Sequence, residues 1–70
     1  MKHDFPHSSS ISCCEYEPAT KDMHITFVSG GRHKFQGVSQ EDFDGFKNAE
    51  SIGTYFHTKI RRAYKSEKVD

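Results

Sequence analysis

The sequence has no tryptophan, only two prolines and two cysteines, and no surplus of either charge. Each shortage excludes something. Cys13 and Cys14 are adjacent. Neighbours on a strand point to opposite faces, so a bond between them needs a distorted backbone, and two cysteines make no disulfide framework. They read as one small buried hydrophobe and one partly exposed thiol. Ten acids balance ten Lys plus Arg, which argues against coating nucleic acid by bulk charge. No apolar run approaches the length of a transmembrane helix. The opening MKHDFPHSSS lacks the apolar stretch of a signal peptide. The expected setting is the cytoplasm, with no membrane partner.

Apolar residues are also sparse, at 33% of 70 residues. A chain of this length buries only ~60% of the surface its unfolded form exposes. Six Phe and three Tyr compensate, because each ring buries a large area. Such a composition supports one domain with a thin core, such as a small sheet covered by helices. It leaves little room for a deep active site.

Residues 1–9 are polar, with Pro6 and three consecutive serines, and read as a flexible N-terminal arm. From Ser10 the pattern becomes extended. Ile11, Cys13, Cys14 and Tyr16 suit a strand, and the apolar spacing changes parity there, which predicts a bulge. Glu17 to Asp22 contains Pro18 and reads as a turn. Met23, Ile25 and Phe27 then alternate with His24, Thr26 and Val28. Ser29-Gly30-Gly31 supplies a hairpin turn, and Arg32 to Gln36 a third strand. Matching the faces sends Met23, Ile25, Phe27, His33 and Phe35 inward, with His24, Thr26, Arg32 and Lys34 outward.

Ser39 is a good helix N-cap, with Asp42 three residues later in a near capping box. Phe43, Phe46 and Ala49 form a narrow apolar stripe, and Gly45 weakens this helix by ~1 kcal/mol relative to Ala. Ser51 can cap a second helix running to about Tyr64, with Ile52, Tyr55, Phe56, Ile60, Ala63 and Tyr64 on its apolar face. Phe56 is expected to be buried. Residues 66–70 read as a charged C-terminal tail, leaving 10–65 as the single domain. The expected fold class is therefore α+β: a three-stranded antiparallel meander followed by two helices packed on one sheet face.

Five histidines are scattered over separate elements, with no C-x-x-C or H-E-x-x-H spacing, so no metal site and no cofactor are expected. No nucleophile elbow, phosphate loop or paired core carboxylates point to an enzyme. The asymmetric feature is basic. Lys59, Arg61, Arg62 and Lys65 follow one another, with His57, and no acid lies between Thr54 and Lys65. Arg32 and Lys34 add charge on the outer sheet face. Basic patches bind phosphate by releasing counterions, and Arg makes bidentate contacts. The same charges also suit a solvated helix end and its dipole. Single-strand binders present exposed rings, and here Tyr64, Tyr16 and Phe5 are the aromatic residues expected at the surface.

The sequence Asn48-Ala49-Glu50-Ser51-Ile52-Gly53-Thr54-Tyr55-Phe56, followed by Ile60-Arg61 and Tyr64, resembles the KTSC domain, as do Ser10-Ile11, Tyr16-Glu17-Pro18, Ile25, Phe27, Gly30 and Gly37-Val38. That family takes its name from the C-terminus of some lysyl-tRNA synthetases and also occurs as small free-standing proteins in bacteria and phages. It favours Tyr-x-Tyr where this chain has His33-Lys34-Phe35, and Pro where Ser39 stands. The change on the third strand keeps an aromatic ring at both places, which fits packing more than hydroxyl chemistry. The synthetase association implies RNA. Two readings follow: a non-enzymatic RNA-binding module using Lys59, Arg61, Arg62 and Lys65, with Arg32 and Lys34 assisting, or a protein-interaction module that adds a partner strand to a sheet edge.

Overall fold

The computed structural model describes residues 1–69. Five strands form one antiparallel sheet, ordered β1-β2-β3-β4-β5. They are β1 (Lys2–Asp4), β2 (Ile11–Glu17), β3 (Asp22–Phe27), β4 (Arg32–Phe35) and β5 (Ser66–Lys68). Between β4 and β5 the chain forms α1 (Gln40–Lys47) and α2 (Ile52–Tyr55), and α2 continues as a π-helical turn, Phe56–Ile60. The α+β class is as expected, but the sheet has five strands rather than three.

The three central strands follow the sequence pattern. Met23, Ile25 and Phe35 are fully buried on the inner face. Arg32 is exposed on the outer one, with Lys34 beside it and half-buried. The register shifts between Ile11 and Cys13. That bulge lets Ile11, Cys14 and Tyr16 all point inward, each only 1% exposed. Gly30 closes the β3–β4 hairpin at φ +106, a left-handed region that favours glycine.

The two added strands correct the reading of both termini. Residues 1–9, expected as a flexible arm, supply edge strand β1 and then Phe5. Phe5 is buried and meets Phe46 edge-on, with centroids 5.2 Å apart. One apolar anchor beside a three-residue polar strand leaves no period to read. Residues 66–70, expected as a tail, contain β5. Its three side chains are all exposed, so only its backbone bonds hold it. Gln36 N–H donates to the Lys65 carbonyl at 3.2 Å and Val69 N–H to that of Arg32 at 2.9 Å.

Ser39 caps α1 as expected, its hydroxyl accepting from Asp42 N–H at 3.1 Å. The Asp42 carboxylate does not complete a capping box; it accepts a hydrogen bond from the Tyr64 hydroxyl. Ser51 caps α2 through Thr54 N–H. The second helix is shorter than expected. Arg61 N–H reaches back five residues to the Phe56 carbonyl, at 2.8 Å, and the extra residue in that turn rotates the following chain. Phe56 and Ile60 stay buried, while Ala63 turns out to solvent.

Candidate nucleic-acid interface

The outer sheet face is a mixed-charge surface. Register aligns Lys2, Glu15, His24, Lys34 and Glu67 across all five strands. Arg32 lies 3.8 Å from Glu15, and Lys34 lies 3.7 Å from Asp22. Solvent-accessible pairs of this kind contribute little stability, but their carboxylates compete with a phosphate for the same cations. Arg32 and Lys34 thus each have a carboxylate within 4 Å, which the other basic residues singled out above lack among the described residues.

Lys59, Arg61, Arg62 and Lys65 are all exposed. Among the described residues, none of the four is paired with a carboxylate. The π turn and the bend after it carry them, and the backbone bond between Gln36 and Lys65 fixes the end of the strip against β4. Tyr64, inside this strip, is half-buried and bound to Asp42. It locks the strip to the start of α1.

The rings expected at the surface are not the ones there. Phe5 and Tyr16 are buried, and Tyr16 donates its hydroxyl to the Val38 carbonyl at 2.6 Å. Instead, His57 is exposed, and Phe27 and His33 are half-buried. Phe27 and His33 do point inward, as alternation requires, but they occupy the hairpin end of the sheet where a cleft opens. A cavity of about 330 Å³ lies there, bounded by Phe27, His33, Phe56, His57, Arg61 and Ser66. A second, of about 440 Å³, shares Phe27, Phe56 and His57 and runs on toward Ser9, Ser10 and Ser29. Together they form one groove beside the basic strip. Lys68 lies opposite His33 in the β4–β5 register, on that same inner face.

Other possible centres are less developed. Among the described residues, no three His, Cys, Asp or Glu side chains gather as a metal site would need. Burial pushes the Cys14 thiol up to about 12, with Cys13 beside it adding to the shift; a thiol held neutral is a poor nucleophile. A cavity of about 490 Å³ between residues 3–10 and 50–53 contains Asp4 and Glu50, charges that disfavour a phosphate. Among the described residues, no helix is long and apolar enough to cross a membrane.

Residues 7–64 match the KTSC domain family. A lysine–tRNA ligase of Nostoc sp. is 33% identical over 64 residues, covering 91% of this chain. The chain spans only 11% of that relative's length. The crystal structure of a KTSC domain protein from Yersinia pestis superposes with a TM-score of 0.92 at 24% identity, covering 100% of this chain and 97% of that one. That likeness shows a shared fold.

Proposed function

This chain belongs to the KTSC domain family, and on that footing we propose that it is a small, non-enzymatic module that binds RNA through Lys59, Arg61, Arg62 and Lys65. The observation that carries the proposal is the strip itself: four exposed cations without a carboxylate partner among the described residues, on a chain whose net charge is zero. Unpaired Lys and Arg attract phosphate without first breaking an ion pair, and each phosphate they neutralise releases a counterion. The relative named for tRNA supports RNA over DNA as the ligand. A cytoplasmic setting accords with that ligand.

A partner strand added to the sheet has less support. Both edges, β1 and β5, are three residues long and carry charged side chains, features that discourage strand addition. The test is a titration with mixed RNA and DNA oligonucleotides at low and moderate salt. Binding to RNA that weakens with salt and is lost in Arg61→Glu/Arg62→Glu is the expected result. Absence of binding at low salt, or indifference to the double substitution, removes the proposal. Capture of a protein that survives nuclease and high salt then favours the edge.

A further inference from the structure

The cleft beside the strip has a composition that phosphate binding alone does not require. Its floor is Phe27 and Phe56, edge-on to each other with centroids 5.5 Å apart. Its walls are the imidazoles of His33 and His57, with Arg61 at the margin. Phe27 supports the His33 ring edge-on at 5.5 Å, and Phe56 supports His57 in the same way at 5.4 Å. Each imidazole is thus backed by a phenyl ring, while His57 stays exposed and His33 half-exposed. Among the described residues, no acid lines either cavity of the groove. Lys68 joins the His33 end through the β4–β5 pairing.

We propose that this groove is a base-binding slot for single-stranded RNA, in which an unpaired nucleobase stacks among His33, His57 and Phe27 while Arg61 and Lys68 hold the flanking phosphates. The inference rests on the RNA-binding reading above and specifies how that ligand is held. A base needs an apolar aromatic surface open on one side, with cations beside it for its backbone; the groove has such a surface, Arg61 lines it, and Lys68 is paired with His33. A duplex hides its base faces in the stack, so it engages the strip alone. The serine hydroxyls at the far end of the groove, from Ser9, Ser10 and Ser29, supply adaptable hydrogen-bond partners for a base edge or a ribose. The preference for single strands follows from this geometry, and the strip by itself does not predict it.

The experiment compares the full chain and its variants with a labelled single-stranded RNA of about eight nucleotides, a size within the range such sites cover. The same sequence as a duplex and an abasic strand of equal charge serve as the other probes. The slot predicts that the single strand binds about tenfold or more tightly than either. His57→Ala lowers that affinity between about fivefold and about a hundredfold, the range for one lost base stack. His57→Phe restores it, since a phenyl ring stacks but carries no charge. His57 is exposed, so neither change threatens the fold; circular dichroism confirms it. Lys68→Glu weakens all three probes. If the three probes bind alike and His57→Ala is silent while Arg61→Glu/Arg62→Glu still abolishes binding, the slot is overturned and the strip survives. If no probe binds at low salt, both are overturned.

Discussion

The Tyr55 ring of α2 lies directly over Gly45 of α1. A β-carbon at Gly45 would stand 2.9 Å from Tyr55 Cζ and closer still to the hydroxyl. A glycine within a helix costs ~1 kcal/mol relative to alanine, and here it permits the two helices to meet. Gly45→Ala is therefore expected to lower stability by about 1–3 kcal/mol through overpacking, despite its better propensity. In a Tyr55→Ala background the sign reverses, and the same change stabilises by up to ~1 kcal/mol. Urea midpoints of the four proteins in this cycle check it, and additive effects would rule out the contact as the cause.

Phe5 gives the plainest distinction between a flexible arm and a strand. It is 6% exposed and packs on His3 and Phe46, with ring centroids 4.8 and 5.2 Å away. Phe5→Ala should destabilise by ~3–5 kcal/mol, as for other buried aromatic rings. Exchange of the Phe5 amide, bonded to the Ser12 carbonyl at 2.9 Å, should accelerate with it. A melting temperature indifferent to this substitution means that residues 1–9 behave as the arm their composition suggests.

The same contrast shows where the sequence is legible and where it is not. Met23, Ile25, Phe35, Phe43, Phe46 and Phe56 are recognisable as core because each belongs to a period of two or of three to four. The bulge is recognisable because Ile11 and Tyr16 disagree in parity. β1 and β5 are not, because three polar residues held by backbone bonds carry no side-chain period. Half the candidate site was likewise visible: the acid-free run from Lys59 to Lys65 is a statement about charge alone. The groove was not. Phe27 and His33 read as inward, and inward usually means covered. α2 and the π turn border the hairpin end of the inner face through Gly53, Phe56 and His57 without closing it. Lys68 was hidden in the apparent tail.

A buried hydrogen bond offers a second test of the core. Tyr16 Oη donates to the Val38 carbonyl while its ring stacks on Phe43, with centroids 4.6 Å apart. Tyr16→Phe keeps the stack and strands the carbonyl. The expected cost is about 1–3 kcal/mol, that of an unpaired buried acceptor. A stability equal to wild type means another donor reaches Val38.

Alkaline pH should loosen the fold through Cys14. Its thiol is raised from 9.0 to about 12, first by burial and then by Cys13. Above about pH 9 the unfolded chain releases a proton that the folded chain keeps. The contribution is thus full below about pH 9 and declines toward about pH 12, by at most ~1.4 kcal/mol per pH unit. Tyr16 and Tyr55, both raised by burial above 10.0, act in the same direction at higher pH. Denaturation midpoints at pH 8.5 and 10.5 should fall more for wild type and Cys13→Ala than for Cys14→Ala. Equal falls in all three assign the effect elsewhere.

Salt dependence separates the two sets of cations that ion pairing distinguishes. For single strands, log K falls with log salt by about 0.7 for each phosphate neutralised. Lys59, Arg61, Arg62 and Lys65 engaged together contribute roughly −2.8 to the slope, and Lys68, where a single strand reaches it, about −0.7 more. Alanine at any one of them should reduce its magnitude by about 0.7. Arg32→Ala and Lys34→Ala should leave it unchanged, since those side chains are engaged with Glu15 and Asp22. The exposures favour this outcome as well. The Arg32 and Lys34 side chains are 45% and 28% exposed, and drawing either to a phosphate leaves a carboxylate behind that repels it. A slope that falls equally for all six substitutions means that the ligand also displaces the Arg32 and Lys34 ion pairs and that the strip is only part of its path.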